Sequence, residues 1–445
     1  MIAEQREALD EIVVKMRAGR ISRRRFLERA ISIGLTSSVA TSLLEACGGT
    51  NNQSSPKNTM ITWESDHEPA GVYDELVETF NKTNKNGIHV VYINGPVDSG
   101  QLRNVFVEML QAHSGHIDVM SMDIIWPAEF ASNQWTLPID DKWSQNERTK
   151  YLPGPIKGCT FNGRIWAAPH HIDVGLIYYR KDFISTPPDT WDELSDVARK
   201  AQEKVPYGYV WQGAKYEGLV CNFVEVLYGY GGAILAPNDP KKVIVNSPEA
   251  QQALSKMVGW VGTISPIDIT TYKEEEARTT WQNGRAAFMR NWPYAYVPSN
   301  DPSVSQIAGK LDVHSLLSGG NNAIGHSCIG GWQLGINAYS KYSDAAWSFI
   351  EYMISPYAQK YIALKTSLIA TLTSIYDDPA VLIKNPFFRN FKPILHNAQP
   401  RPVSPKYPDI SSSIQLHIYQ ALKKQLSPAG ALSSLQADLE SIVAS

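Results

Sequence analysis

From Met60 onward, two periodicities alternate along the chain. Met60-Ile61-Thr62-Trp63 is a strand-like run, and Tyr73, Leu76, Val77 and Phe80 then recur at helical spacing. Ile88 to Ile93 is strand-like, Leu102, Val105, Phe106, Met109 and Leu110 repeat the helical pattern, and Ile117 to Met122 is again a strand. A βαβαβ order of this kind confines the chain to a parallel sheet covered by helices. A helix follows from Pro127 to Ser132.

A second block begins after Asn162-Gly163. Thr190-Trp191-Asp192-Glu193 is a capping box that opens a helix over 191–203. Ser247-Pro248 opens another through Trp260, with Pro at its first position. Residues 216–228 are apolar at Leu219, Val220, Phe223, Val226 and Leu227. Ser343 and Ser355-Pro356 read as caps of two further helices. The Pro- and Asn-rich stretch 377–408 is expected to wrap the surface, ahead of a long amphipathic helix near 410–426. A length of 445 residues exceeds what one core supports, so two domains are expected.

Residues 1–46 belong to neither block. Ser22-Arg23-Arg24-Arg25-Phe26-Leu27 precedes a mildly apolar run from Ala30 to Leu44, which is broken by Ser, Thr and Gly. The run is too short for a membrane-spanning helix, which needs about 20 residues. It reads as an export signal resembling the twin-arginine type. Leu44-Glu45-Ala46-Cys47 resembles a bacterial lipobox, with Glu45 departing from the small uncharged residue usual there. Cys47 is thus the expected lipidation site, and 47–58 a flexible tether. The signal holds eight Lys/Arg and six Asp/Glu, so the remainder carries a net charge of −5. That is no field for nucleic acid. Cys159, Cys221 and Cys328 are too few and too widely spaced for a disulfide framework.

Catalytic and phosphate signatures are missing from the sequence. It contains no G-x-x-x-x-G-K-[ST], H-E-x-x-H or G-x-S-x-G, and no Cys or carboxylate stands at ligand spacing from His113 and His116. No metal or cofactor is expected. Glu274-Glu275-Glu276 reads as a solvated helix start favoured by the helix dipole. What recurs is aromatic residues beside polar groups in loops. Asp123 lies near Trp126, Asp173 follows His170-His171, Trp292 and Tyr294 flank Pro293, Trp332 follows Gly330-Gly331, and Arg401 lies between two prolines. Sugars call for this mixture, because their C–H faces stack on rings while their hydroxyls match carboxylates and guanidinium. Any one pair is compatible with a core Trp beside a surface carboxylate; five at loop ends point to a cleft.

These residues also carry a family resemblance. Tyr209-Val210-Trp211-Gln212-Gly213, Tyr216-Glu217-Gly218-Leu219-Val220-Cys221, Arg290-Asn291-Trp292-Pro293-Tyr294-Ala295, Gly330-Gly331-Trp332 and Pro400-Arg401-Pro402 are similar to stretches of the family 1 solute-binding proteins of sugar ABC importers. Within that family they resemble the trehalose/maltose-binding type. The resemblance implies an α/β, two-lobe clamp, each lobe a mainly parallel sheet flanked by helices. Lobe I would comprise 59–171 and 334–369, lobe II 172–333 and 370–445, with crossings near 171–173, 331–333 and 367–371. It implies a non-enzymatic lipoprotein, exported and anchored at the membrane facing the periplasm or exterior. Such a protein would be a monomer, delivering a neutral disaccharide such as trehalose or maltose to a permease.

Asp123 and Asp173 would accept from hydroxyls, and Trp292, Tyr294 and Trp332 would stack. Gly330 and Gly331 would offer N–H groups, and Arg401 would donate. Glu68, Arg103, Trp126 and His171 complete the implied site. Two positions depart from the family pattern: His171 stands for a Tyr, and Leu102 for one Arg of a Gln-Arg-Arg run, which changes the hydroxyl pattern tolerated. The rival readings are an exported glycoside hydrolase acting on a small oligosaccharide and a binding module for peptides or ions.

Overall fold

The computed structural model describes residues 59–444 apart from 238, 321–323 and 403. The expected export signal, Cys47 and the expected tether lie outside the described residues. The strands are β1 (Thr59–Glu64), β2 (Ile88–Ile93), β3 (Val119–Asp123), β4 (Ala168–Val174), β5 (Leu176–Arg180), β6 (Tyr207–Val210), β7 (Ala286–Asn291), β8 (Leu311–His314), β9 (Ile329–Ile336) and β10 (Ile369–Ala370), with two small hairpins besides. They form a six-stranded sheet, ordered β10-β4-β9-β3-β1-β2, and a four-stranded sheet, ordered β8-β5-β7-β6. Each sheet with its helices is one lobe of a clamp.

The opening βαβαβ pattern folds as its periodicity dictates. Helix α1 (Val72–Thr83) buries Tyr73, Leu76, Val77 and Phe80 on one stripe. Helix α2 (Ser99–Gln111) buries Leu102, Phe106 and Leu110, and the Asp98 carboxylate accepts from the N–H groups of Gly100 and Gln101 at its start. These two crossovers leave β1 parallel to both β2 and β3. The other pairings of the first sheet are antiparallel. In the second sheet only β6 and β7 run parallel. Both sheets are therefore mixed, where mainly parallel sheets were expected. Parallel neighbours need a crossover connection. Strands β4, β9 and β10 instead belong to the segments through which the chain passes from one lobe to the other.

Those passages lie a few residues from the expected ones. Strands β4 and β9 stay paired from Leu334↔Ala168 to Ile329↔Val174, so His171–Asp173 and Gly331–Gln333 all sit inside the first sheet. The chain changes sheet at Gly175 and just before Ile329, and it leaves the first sheet after Ala370. A Cβ on Gly175 would lie 1.9 Å from Glu225 Oε1, so only glycine fits there.

Helices α3 (Pro127–Ser132), α4 (Trp191–Ala201), α5 (Glu217–Gly229), α6 (Pro248–Trp260), α7 (Glu274–Gln282), α8 (Ser343–Met353), α9 (Pro356–Thr366), α10 (Tyr407–Leu422) and α11 (Pro428–Ala444) cover the sheets. The Thr190 capping box and the Ser247 and Ser355 caps form. Ser343 does not cap: it is the first helical residue, and Tyr342 precedes it without a side-chain cap. The stretch before α10 is more than a surface wrap, because it drives Arg401 inside to 3% exposure. Helix α5 is buried nearly all round beneath α10 and α6, as its continuous apolar sequence requires.

Beneath the passages lies an ion pair shut off from water, Arg290 on β7 with Glu225 on α5; their side chains are 0% and 1% exposed. Arg290 Nε donates to Glu225 Oε2 at 2.8 Å, and Glu225 Oε1 also accepts from the Cys328 N–H at 3.1 Å. Removing one partner of such a pair strands the other charge, at a cost of about 3–5 kcal/mol. Arg290→Ala is accordingly expected to lower unfolding stability by roughly that amount, readable as a fall in the urea midpoint.

Candidate functional site

The C-terminal ends of strands from both sheets face one cavity of about 480 Å³. In open α/β sheets the strand C-termini are where ligands bind. Ten of the twelve residues picked out of the sequence line this cavity: Glu68, Asp123, His171, Asp173, Trp292, Tyr294, Gly330, Gly331, Trp332 and Arg401. Arg103 and Trp126 do not. The Arg103 guanidinium is taken up by Glu129, with Nε donating to Oε2 at 2.9 Å. Trp126 is buried behind the wall, edge-on to Trp332 at 5.6 Å between ring centroids. Both hold the wall from behind rather than facing the cavity.

The Trp292 and Tyr294 rings are each fixed by polar partners. The Arg290 guanidinium carbon stands 3.8 Å from the Trp292 ring centroid and covers one face of the indole. Trp292 Nε1 donates to Glu274 Oε1 at 3.3 Å, and the Tyr216 hydroxyl donates to Glu274 Oε2 at 2.7 Å. The Tyr294 hydroxyl donates to Glu275 Oε1 at 2.6 Å. The reading of Glu274-Glu275-Glu276 as a solvated helix start therefore holds for Glu276 alone, which accepts from the Lys273 N–H at 2.9 Å. Glu274 and Glu275 line the cavity. Nothing in their own segment marks them, since Tyr216, Trp292 and Tyr294 reach them from other elements.

The floor bridges the two sheets. Arg401 Nη2 donates to Asp123 Oδ1 at 2.7 Å, and its Nη1 donates to Glu217 Oε1 at 2.8 Å. Asp123 ends β3 of the first sheet, while Glu217 begins α5 beside the second. A second bridge crosses the rim, where Lys273 Nζ lies 2.8 Å from Asp98 Oδ2. The clamp is closed. Glu68 also does structural work: its carboxylate accepts from the Ala70 and Val72 N–H groups at 2.7 and 2.6 Å, holding the start of α1. Gly330 and Gly331 bring bare backbone to the wall. Gly331 has φ of +114°, and a Cβ there would lie 2.4 Å from the His171 carbonyl oxygen.

One wall is a cluster of acids around an imidazole. His171 Nε2 is 3.6 Å from Asp173 Oδ2 and 4.0 Å from Asp66 Oδ2, and its Nδ1 is 3.3 Å from the Tyr73 hydroxyl. Burial works against a charged His171, but the Asp173 carboxylate, with Asp66 and Glu68 beyond, outweighs it and raises its pKa. Burial pushes the Asp66 carboxyl up to about 7. Asp66 escaped the sequence reading, although it obeys the same rule as Glu68: a carboxylate just past a strand's C-terminal end. Within the described residues, Asp66 Oδ1, Asp173 Oδ1 and Arg401 Nε are buried without a hydrogen-bond partner. Orphaned polar atoms of this kind are costly. These three lie on residues of one cavity and comprise two acceptors and a donor. No group of three His, Cys, Asp or Glu side chains among the described residues is arranged to hold a metal ion, nor is any described helix long and apolar enough to cross a membrane.

Two lobes closed over a cavity walled by rings, carboxylates and one guanidinium define a ligand-binding clamp. Comparison with known proteins agrees. The family of bacterial extracellular solute-binding proteins matches residues 65–360. A probable ABC transporter-binding protein of Deinococcus radiodurans is 35% identical over 373 residues, 80% of this chain and 87% of that one. A maltotriose-binding protein of Pyrococcus abyssi is 24% identical over 67% of this chain and 64% of its own. Among solved structures, maltose-bound MalE3 of T. maritima superposes with a TM-score of 0.81 at 36% identity, covering 85% of this chain and 98% of that one. The chain belongs to the bacterial extracellular solute-binding protein family, and it is a binding protein rather than an enzyme.

The acid cluster makes stability depend on pH. Asp66 holds its proton more tightly folded than unfolded. Its contribution is fully present below the ordinary carboxylate value of 3.8 and is lost as pH rises through about 7. Asp66→Asn removes this titration. The melting temperature of the variant relative to the parent is expected to be higher at pH 8 than at pH 5, by a few degrees in a thermal melt.

Proposed function

We propose that this protein captures a neutral disaccharide such as trehalose or maltose and delivers it to the membrane subunits of an ABC importer. It would do so as an exported monomer held at the cell membrane through a lipid on Cys47. The observation that carries this reading is the pairing of three orphaned buried polar atoms with the rings of Trp292, Tyr294 and Trp332 in one cavity. A polyhydroxylated ring satisfies both at once. Its hydroxyls donate to Asp66 and Asp173 and accept from Arg401, while its C–H faces cover the aromatic surfaces. Maltose in T. maritima MalE3 and maltotriose in the Pyrococcus abyssi protein's name favour an α-glucoside.

The lobes would open about Gly175 and the segments before Ile329 and after Ala370. Opening must separate Arg401 from Asp123 and Lys273 from Asp98. A sugar held by both walls favours the closed form by its differential affinity for the two states. The departure from the family pattern at His171 fits here as well. Its ring nitrogen is turned to Asp66 and Asp173, so it holds those carboxylates in place.

Removing the Trp292 ring is expected to weaken sugar binding by well over tenfold, as about 1.4 kcal/mol per tenfold implies for a large stacking surface. Calorimetry with trehalose and maltose on the parent and Trp292→Ala reads this directly. Unchanged affinity in the variant rules out the cleft. Incubation with either sugar is expected to release no glucose; steady release would revive the hydrolase reading.

A further inference from the structure

Three cysteines lie among the described residues, and all are buried. They are not equivalent. Cys159 packs beside the first sheet, where its thiol donates to Gln333 Oε1 at 3.1 Å. Cys221 and Cys328 come together, although about a hundred residues separate them along the chain. Cys221 lies in the second turn of α5 and lines the cavity, while Cys328 sits at the passage just before β9. Glu225 stands one turn beyond Cys221 on the same face of α5. Its Oε1 accepts from the Cys328 N–H at 3.1 Å, which draws Cys328 onto the face that carries Cys221. There the two thiols are hydrogen-bonding partners.

The surroundings suit a thiol pair that reacts with itself. The hydrogen bond to Cys328, together with burial, holds the Cys221 thiol well above its ordinary value. A protonated thiol attacks slowly, so the closed clamp shelters the pair. Reagents reach it through the cavity that Cys221 lines. The family to which the chain belongs is extracellular, and disulfides form and persist outside the reducing cytosol.

We propose that Cys221 and Cys328 are a site of reversible oxidation, closing a disulfide that splints the passage before β9 onto helix α5. The oxidant is an external disulfide, R–S–S–R. Cys221 attacks one of its sulfurs as the thiolate and releases RS⁻, leaving a mixed disulfide. The Cys328 sulfur then attacks the Cys221 sulfur and releases the second RS⁻. The two cysteine protons end on the two released thiols; the cysteine pair gives up two electrons, and the external disulfide takes them. The bridge closes a loop of about a hundred residues, which removes much of the freedom of the unfolded chain. It also fixes a segment that already holds its neighbours: Ser327 donates to the Gly175 carbonyl, and the Ser327 carbonyl accepts from the Gln399 N–H, each at 2.8 Å. The bridge does not depend on which ligand the cavity takes.

The test treats the folded full chain with oxidised glutathione, then blocks free thiols and maps its peptides without reduction. A peptide joining Cys221 to Cys328 is expected, with Cys159 recovered as a blocked thiol, and dithiothreitol should return both cysteines to the free form. In a thermal melt the oxidised parent should unfold several degrees above the reduced parent. Cys221→Ser and Cys328→Ser should each abolish the linked peptide and the shift. Free thiols at both positions, or glutathione adducts there without a link, overturn the site on the parent alone. A bridge that involves Cys159 overturns it as well, because it reports unfolding rather than the native pair. A linked pair whose melting temperature does not rise overturns the splint.

Discussion

The Arg290–Glu225 ion pair joins the frame of this protein to its cavity. Two charges with almost no contact with water must satisfy each other and every hydrogen-bond position around them. Here the remaining positions are filled from the passages between lobes and from the cavity wall. Glu225 receives the Cys328 N–H at one passage and lies against Gly175 at another. Ser327 donates across to the Gly175 carbonyl at 2.8 Å. Arg290 also donates to Gln212 Oε1 at 3.1 Å, and Gln212 returns a bond to the Arg290 carbonyl. The free face of the same guanidinium carries Trp292. Passage, core and stacking platform thus share one buried charge.

Closure depends on a different balance. Arg401–Asp123 on the floor and Lys273–Asp98 on the rim both cross between lobes, but their settings differ. Arg401 is 3% exposed, so its pairing must offset a large desolvation cost. Lys273 is about a third exposed and screened by solvent, so it contributes little on its own. The deep pair sets how the lobes meet, and the rim pair fastens them. Neither satisfies Arg401 Nε, Asp66 Oδ1 or Asp173 Oδ1. These three atoms have no hydrogen-bond partner among the described residues of the wall.

Much of the site was legible in the sequence because one rule covers it: polar and aromatic residues at strand C-terminal ends converge in α/β sheets. Asp123, Asp173 and Trp292 follow that rule directly, whereas Trp332 reaches the same wall from the N-terminal half of β9, which runs antiparallel to β3 and β4. Asp66 follows it too and was passed over beside Glu68. Arg103 and Trp126 have the right chemistry, yet each faces away from the cavity, because Glu129 captures one and Phe130 and Trp332 pack against the other. Glu274 and Glu275 could not be read from their neighbours. Their partners Tyr216, Trp292 and Tyr294 are up to 58 residues away along the chain.

Local physics was enough to read the alternation of strand and helix from Met60 to Met122, the Thr190, Ser247 and Ser355 caps, and the chemistry gathered at the loop ends. Each of these depends on side chains a few residues apart. Strand direction after Val174, the point at which the chain changes sheet, and the partners of Arg401 and the two glutamates depend on contacts between distant segments. Such contacts exist only after the lobes have formed and closed. Tertiary structure alone decided that Asp66 and Asp173 each turn one oxygen to His171 and leave Oδ1 buried without a partner among the described residues, because burial and partnering are properties of the assembled wall and not of any stretch of sequence.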